Sequence, residues 1–160
     1  MPGTQINVES LVKVIIGLFI LFIILLIAFV YLEKLNRKRQ YLDSSLADLD
    51  KLTGEAFEKY LAVIFEEMGY SVKLTPKSHD YGADLILKKN GEVTVVQAKR
   101  YNSNVGVAAV QQIVGAKAYY NADKCLIATN RYFTASAKNL AKANHVKLMD
   151  RNAFWKITKK

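Results

Sequence analysis

One stretch near the N-terminus constrains this chain more than any other feature: residues 14–32 contain no charged side chain. The stretch is 19 residues long and lies between Lys13 and Glu33. As an α-helix it would be about 28 Å long, close to the ~30 Å hydrocarbon core of a bilayer. It also lacks the polar face that a helix on the surface of a soluble domain would show. We therefore predict one transmembrane helix over residues 14–32.

A cleaved signal peptide is the alternative interpretation of this stretch. Such a peptide has a basic start, a shorter apolar region and small residues at its cleavage site. Here Glu9 and a single Lys13 precede a longer apolar stretch, and Tyr31, Leu32 and Glu33 stand at its end. We therefore expect the segment to be retained as a membrane anchor.

Basic residues are concentrated on one side of the predicted span. Only Lys13 is basic before it, whereas residues 33–48 form a basic juxtamembrane linker. The cations of this linker are Lys34, Arg37, Lys38 and Arg39. The positive-inside rule then places the C-terminal part in the cytoplasm and residues 1–13 outside, with the linker close to the lipid headgroups. The single Cys125 fits a reducing compartment and excludes an intramolecular disulfide.

The remaining residues, 49–160, are numerous enough for one domain with a modest core. Charge is unevenly distributed there, since residues 40–85 carry 4 basic and 9 acidic side chains whereas residues 86–160 carry 14 basic and 3 acidic ones. The basic half is either a solvated surface or a polyanion-binding face around a metal-binding pocket. An aromatic content of 11% argues against a disordered chain.

Apolar periodicity and turn residues predict eight elements in this domain. Their order, αβββαβαβ, is typical of an α/β domain with a mixed sheet flanked by helices. A turn is predicted at residues 79–82. The predicted elements are a helix at 54–68, strands at 71–75, 83–88 and 92–101, a helix at 105–121, a strand at 124–129, a helix at 134–144 and a strand at 146–149.

Three polar residues are brought together by a predicted hairpin. Asn90-Gly91 is typical of a two-residue turn between antiparallel strands. In the register that this turn fixes, Asp84 lies opposite Gln97, with about 5 Å between their Cβ atoms. Lys99, two residues further along the strand, shows the same face of the sheet. A carboxylate, an amide and an ammonium group therefore meet at the open end of the hairpin.

Two interpretations of this cluster fit its spacing. In one, Asp84 and Lys99 form a buried ion pair, and Gln97 is a hydrogen-bonding partner. In the other, Asp84 and the Gln97 carbonyl oxygen hold Mg²⁺ in a phosphodiester-hydrolysing site, where Lys99 activates water or neutralises phosphate charge. Carboxylate and amide oxygens are hard ligands, which favour Mg²⁺ over zinc.

A second carboxylate is expected from the first helix of the domain. Glu58 lies at the edge of the apolar stripe that would face the sheet, whereas Glu55 lies further round towards solvent. Glu58 is therefore the candidate for an additional metal ligand. The alternative is an ordinary glutamate beside a packed helix face.

In their order along the chain, these residues resemble the Mrr-like restriction endonuclease domain of the PD-(D/E)xK nuclease superfamily. The resemblance covers roughly residues 49–150. The segments that carry it are Gly54-Glu55-Ala56-Phe57-Glu58, Gly69-Tyr70, Asp80-Tyr81-Gly82-Ala83-Asp84-Leu85, Val96-Gln97-Ala98-Lys99-Arg100-Tyr101, Val105-Gly106-Val107, Gln111-Gln112, Thr129-Asn130-Arg131 and Phe133-Thr134.

This resemblance implies a restriction-endonuclease-like fold over residues 49–160 and endonuclease activity on DNA with Mg²⁺ or Mn²⁺. It places the family's sheet aspartate at Asp84, its (E/Q)xK pair at Gln97 and Lys99, and its helix glutamate at Glu58. Gln97 stands where the wider superfamily has an acidic residue, which leaves one charge less for the metal.

The same resemblance makes DNA the expected partner, and cutting both strands favours a homodimer with two active sites. The candidate DNA contacts are Lys88, Arg100, Gln111 and Arg131. Two other functions stay open at this point. One is a catalytically silent, membrane-tethered nucleic-acid-binding module of the same fold, and the other is a protein whose basic face meets anionic lipid.

Overall fold

A computed structural model describes residues 8–42, 46–76 and 81–158, so part of the predicted turn at 79–82 and parts of the predicted segments 1–13 and 33–48 lie outside it. The chain divides into two units, Met1–Gln40 and Tyr41–Lys160. The first is formed by helix α1, Val8–Leu42. Within α1, the segment Val8–Asn36 is the one stretch of the described chain that is long and apolar enough to cross a membrane, and it contains the predicted span.

The second unit contains five helices and five strands within its described residues. The predicted order αβββαβαβ is confirmed, and short helices precede and follow it. The elements are α2 (Leu46–Leu49), α3 (Gly54–Glu67), β1 (Ser71–Leu74), β2 (Leu85–Lys89), β3 (Glu92–Lys99), α4 (Val107–Tyr119), β4 (Lys124–Thr129), α5 (Ala135–Ala143), β5 (Val146–Met149) and α6 (Arg151–Thr158).

The strands form one mixed sheet in the order β1-β2-β3-β4-β5. Neighbours β1, β2 and β3 are antiparallel, whereas β3, β4 and β5 are parallel. Parallel strands need a crossover connection, and α4 and α5 supply the two that this sheet requires. The predicted fold class, a mixed sheet flanked by helices, is confirmed.

The β2–β3 hairpin has the predicted turn and register. Asn90 and Gly91 both have positive φ, +52° and +81°, as a type I′ turn requires. Lys89 pairs with Glu92, and the ladder runs from there to Leu85 and its partner Val96. Strand β2 begins at Leu85 rather than at the predicted residue 83, so Asp84 lies immediately before it.

The two faces of the sheet carry separate apolar cores. On one face, α3 and α6 cover Leu85, Leu87 and Val96. On the other, α4 and α5 cover Val95 and its neighbours. Five of the six residues of β4 are buried, because this strand contributes to both cores.

Helix α3 begins and ends as its sequence indicates. The Thr53 hydroxyl caps it by accepting a hydrogen bond from the Ala56 N–H at 3.2 Å. Gly69, at φ +81°, follows the helix in the left-handed conformation that favours glycine. Glu55 is exposed as predicted and forms an ion pair with Lys59 at 2.8 Å.

Candidate active site

Hydrogen bonds hold Asp84 between Thr75, which follows β1, and the end of β3. Its backbone N–H donates to the Val96 carbonyl at 2.8 Å, and its own carbonyl accepts from the Thr75 N–H at 3.0 Å. Its carboxylate Oδ2 accepts from the Ala98 N–H at 2.6 Å. The carboxylate is therefore held beside the two β3 residues that flank Ala98, namely Gln97 and Lys99.

Gln97 places an unsatisfied oxygen inside the protein. Its side chain is only 2% exposed. The Nε2 group donates to Gln112 Oε1 at 2.8 Å, whereas Oε1 is buried and has no hydrogen-bond partner among the described residues. Leaving a buried acceptor unpaired costs about 1–3 kcal/mol, so this oxygen marks a position where a cation would be favoured.

Lys99 is half-buried and follows Gln97 on the same face of β3. An ion pair between Asp84 and Lys99 was one of the two interpretations of the sequence. It does not occur among the ion pairs of the described residues. Lys99 and Asp84 nevertheless line the same cleft.

These three residues line a cleft of about 280 Å³. Gly82 closes one side of it against α4, with φ at +90°. A Cβ atom on Gly82 would lie 3.2 Å from both the Cβ and the carbonyl oxygen of Gln112, so a side chain does not fit there without displacement. The cleft is lined by Tyr81, Gly82, Asp84, Gln97, Lys99 and Gln112.

Glu58 is not brought into this cleft. It is a half-buried residue of α3, which packs on the core of Leu85 and Val96. Asp84 and Gln97 alternate with those two residues and so point to the opposite face of the sheet. Within the described residues, no group of three or more His, Cys, Asp or Glu forms a metal site. The role of Glu58 as a metal ligand stays a prediction.

The four predicted DNA contacts fall in two different environments. Lys88 on β2 and Gln111 on α4 are exposed, and it is Gln112, the next residue, that lines the cleft. Arg100 and Arg131 instead take part in hydrogen bonds within the protein. Their roles as DNA contacts stay predictions.

A polar network around Asp50 engages both arginines. The Asp50 carboxylate accepts from Arg151 Nη1 at 2.8 and 2.9 Å and from Asn130 Nδ2 at 2.8 Å. Arg131 Nη1 lies 3.8 Å away, and Arg100 Nη2 donates to the Asp50 backbone carbonyl. The network therefore ties the segment before α3 to the carboxyl ends of β3 and β4 and to the start of α6.

The surroundings of Asp50 favour its ionised form. Burial raises the pKa of this carboxyl, but the hydrogen bonds from Asn130 and Arg151 outweigh that effect. The positive charges of Arg151 and Arg131 act in the same direction, so the pKa lies below its ordinary value. Asp50 is thus an anion that balances the charges of Arg151 and Arg131.

Comparison with known proteins gives the family. Residues 49–158 match the family model of the Mrr_cat domain, which is described as a restriction endonuclease. The chain belongs to this family. The match includes every residue of the cleft, from Tyr81 to Gln112. No curated protein matches the chain significantly.

Two solved structures share the fold. The crystal structure of AF1548, a protein of unknown function, has a TM-score of 0.52 and 20% identity, covering 58% of this chain and 55% of that one. The DNA modification-dependent restriction endonuclease AspBHI has a TM-score of 0.52 and 17% identity, covering 76% of this chain and 36% of its own. This Mrr_cat chain thus spans about half of the first protein and about a third of the second.

The donor atoms of the Mrr_cat cleft fit a magnesium ion. Mg²⁺ prefers oxygen ligands and is commonly held by one or two carboxylates, with water and substrate phosphate in the other positions. The cleft offers the carboxylate of Asp84 and the buried, unpartnered Oε1 of Gln97. Among the described residues that line the cleft, the groups able to bind a metal are oxygen donors, which suit a hard cation.

The sequence does not assign a role in the cleft to three of its lining residues, Tyr81, Gly82 and Gln112. The pair Gln111-Gln112 was noted, but the rotation of α4 about its axis decides which glutamine faces the sheet. Tyr81 belongs to the segment Asp80-Tyr81-Gly82, where it was read only as part of a turn. The positive φ of Gly82 turns this segment against α4, and glycine beside tyrosine was the one local signal of such a turn.

Proposed function

We propose that this Mrr_cat chain is a membrane-anchored endonuclease that hydrolyses DNA phosphodiester bonds with Mg²⁺. The observation that carries the proposal is the convergence of Asp84, Gln97 and Lys99 in one cleft. The membership of the Mrr_cat family supports the same reaction class. The apolar segment Val8–Asn36 supports anchoring, because its length and composition suffice to cross a bilayer.

Each residue of the cleft would have a separate role in metal binding or phosphate hydrolysis. Asp84 and Gln97 would hold the ion, with Asp84 oriented by the Ala98 N–H. Mg²⁺, or Mn²⁺ in its place, would supply positive charge that stabilises the phosphate as it is attacked. Lys99 would stabilise charge on the same phosphate or assist the loss of a proton from water. Gln112 would keep the Gln97 amide in its orientation.

DNA is the proposed substrate, and the charge of the chain favours it. Residues 86–160 carry 14 basic and 3 acidic side chains, and they include Gln97, Lys99 and the exposed face of α5. A polyanion would be attracted to this half. Cutting both strands requires two active sites, so we propose that a homodimer acts on duplex DNA.

The proposal is tested by plasmid cleavage. Full-length protein in detergent micelles is incubated with supercoiled plasmid, methylated or unmethylated, in the presence of Mg²⁺ or of EDTA. Asp84→Asn and Lys99→Ala should each reduce the cleavage rate by about 100-fold or more, as loss of a charge-stabilising group does. Lys59→Ala, which changes an exposed lysine of α3 outside the basic half, is the matched control and should leave the rate unchanged.

Cleavage that is equal for wild type and Asp84→Asn would refute the proposed site. Absence of cleavage for every substrate would refute the activity.

The role of Glu58 can be tested against a control on the same helix, Glu55, which pairs with Lys59 in solvent. If Glu58 is a ligand, Glu58→Gln should raise the Mg²⁺ concentration needed for half-maximal cleavage, whereas Glu55→Gln should not.

A catalytically silent DNA-binding module is the second candidate function. It is favoured by one observation: Asp84 is the only carboxylate among the residues that line the described cleft. In that case the protein would bind DNA with a strong dependence on salt, Asp84→Asn would bind equally well, and no cleavage would occur. Binding and cleavage measured on the same preparation separate the two candidates.

A further inference from the structure

Two tyrosines form an exposed stacked pair beside the cleft. The rings of Tyr81 and Tyr119 lie 3.7 Å apart between centroids, with an angle of 25° between their planes. Tyr120 meets the Tyr119 ring edge-on at 4.9 Å. Despite these contacts, Tyr81 is 51% exposed and Tyr119 is 58% exposed. The pair therefore offers aromatic surface to solvent, whereas stabilising aromatic contacts are usually buried.

The backbone holds Tyr81 in an uncommon conformation. Its φ is +50°, in the left-handed region that bulky residues rarely adopt, and Gly82 follows at +90°. A Cβ atom on Gly82 would lie only 3.2 Å from Gln112 of α4, so this segment approaches the helix closely. The Tyr81 ring, on the preceding residue, stacks on Tyr119 of the same helix. Uncommon backbone conformations of this kind cluster at functional sites.

Tyr81 connects the stacked pair to the candidate active site. It lines the cleft together with Asp84 and Lys99, and its ring also stacks on Tyr119 at the end of α4. A nucleotide whose phosphate lies beside Lys99 would therefore have an aromatic surface within its neighbourhood. In a DNA duplex both faces of each base are covered by neighbouring bases, so this surface is useful only to a base that has left the stack.

We propose that Tyr81 and Tyr119 form a stacking platform for an unpaired nucleobase, so that the preferred substrate is DNA with a single-stranded or extrahelical base next to the cleaved bond. This inference rests on the proposed function, because it takes DNA as the occupant of the cleft. A hydrogen bond with Tyr81 raises the pKa of the Tyr119 hydroxyl above its ordinary value, so Tyr119 adds no negative charge beside phosphate at neutral pH.

The test uses the full-length protein in detergent micelles, with Ca²⁺ in place of Mg²⁺ and short DNA duplexes as probes. One duplex carries a single unpaired 2-aminopurine, a second is fully paired, and a third has an abasic site at the unpaired position. Wild type should bind the first about tenfold more tightly than the third, the scale of one base–aromatic stack. The 2-aminopurine fluorescence should also be quenched on binding, which a purely structural role for Tyr81 would not cause.

Variants separate stacking from other contributions of the loop. Tyr81→Leu and Tyr119→Leu should each reduce the preference and the quenching, whereas Tyr81→Phe, which keeps the ring, should retain both. Tyr132→Leu is the control, because Tyr132 is another exposed tyrosine that does not line the cleft. Thermal unfolding of each variant, compared with wild type, shows whether a lost preference accompanies a loss of fold.

The outcomes distinguish this inference from the proposed function. Equal affinity of wild type for the unpaired-base and abasic duplexes would overturn the platform, as would an undiminished preference in folded Tyr81→Leu, whether or not plasmid is cleaved. Base preference without plasmid cleavage would keep the platform and reject the endonuclease. Absence of DNA binding would reject both.

Discussion

The nitrogen and the oxygen of the Gln97 side-chain amide differ in their hydrogen bonding. Its nitrogen is satisfied by Gln112, whereas its oxygen is buried and unpaired among the described residues. A packing role alone would be filled better by an apolar side chain, since Val95 and Val96 precede it on the same strand. The unpaired oxygen is therefore the strongest single-residue indication of a bound cation.

Changing this amide to a carboxylate should strengthen metal binding. Gln97→Glu adds a negative charge next to Asp84, and Mg²⁺ sites bind more tightly as ligand charge increases. We expect half-maximal cleavage at a Mg²⁺ concentration about tenfold lower than in wild type. A Mg²⁺ titration of the plasmid cleavage rate measures this. The apolar variant Gln97→Met serves as the comparison and should need more Mg²⁺; a lower requirement in both variants would contradict a ligand role.

Glycines at two positions should respond in opposite directions to the same substitution. Gly82→Ala places a Cβ 3.2 Å from Gln112 at φ +90°, so it should lower the free energy of unfolding by about 1–3 kcal/mol and reduce cleavage. Gly115 lies in α4, and a Cβ atom there would meet open space. Gly115→Ala should therefore raise the free energy of unfolding by about 0.5–1 kcal/mol. Chemical denaturation of both variants provides the measurement. Equal effects would show that the tight contact at Gly82 is not important for stability.

The residues that the sequence predicted correctly in the cleft are those fixed by local geometry. One turn, Asn90-Gly91, sets the register that brings Asp84 beside Gln97, and strand alternation adds Lys99. Gln112 and Tyr81 arrive through long-range packing of α4 and of the segment before β2. The periodicity of a segment does not predict which distant segment it packs against. The positions of Gln112 and Tyr81 in the cleft are therefore seen only in the structure.

The strands and main helices were predictable because their signals are local. The strand at 124–129 has the predicted bounds, since its four central residues, 125–128, are apolar and stand between Lys124 and Thr129. Helices α2 and α6 were missed. Helix α6 is short and begins with Arg151 and Asn152, and it is held by tertiary contacts: the Phe154 ring lies 5.8 Å from Phe57 and 6.1 Å from Tyr60.

The hydrogen bonds and ion pairs around Asp50 also hold α6 on the domain. Their contribution to the free energy of unfolding should depend on pH. Because the folded-state pKa of Asp50 is lowered, its contribution is fully present above the ordinary value of 3.8 and is lost as pH falls through the folded-state value. Asp50→Asn should lower the free energy of unfolding at pH 7 by about 1–3 kcal/mol. The difference from wild type should shrink below pH 4.

Thermal unfolding of full-length protein in detergent at pH 7 and pH 3 measures this effect. The difference in stability between wild type and Asp50→Asn isolates the contribution of Asp50, because the other carboxylates are the same in both proteins. Glu92→Gln is the control, because Glu92 pairs with Lys124 on the exposed surface and should contribute less than about 1 kcal/mol. A difference for Asp50→Asn that does not change with pH would argue against an ionised Asp50 as the stabilising group.

At the scale of the whole molecule, one chain combines an apolar helix with a domain rich in cations. The apolar residues of α1 are exposed, whereas those of the second unit are largely buried in two cores. The second unit, residues 41–160, carries 18 basic and 12 acidic side chains. This separation was readable from composition alone, whereas the pairing of acidic Asp50 with cations of the basic half was not.

The basic residues after the apolar segment should set the orientation of the chain. In a bacterial host, a C-terminal green fluorescent protein fusion should fluoresce and an alkaline phosphatase fusion should be inactive, because the second unit is predicted to be cytoplasmic. Changing Lys34, Arg37, Lys38 and Arg39 to glutamine should give a mixed or inverted orientation. The same change at four lysines that are distant from the span in sequence should leave the orientation unaltered. These lysines are Lys138, Lys142, Lys147 and Lys156. Phosphatase activity in the unaltered fusion would contradict the predicted orientation.

The Asn90-Gly91 turn brings β2 and β3 together across a loop of two residues, whereas β3 can pair with β4 only after α4 has been placed between them. Closing a short loop loses little chain entropy, and hairpins form within about 1–10 μs. On the ribosome, α1 is made first and this hairpin follows before α4. Asp84 and Lys99 can therefore meet through local sequence before α4 packs against the sheet and closes their cleft.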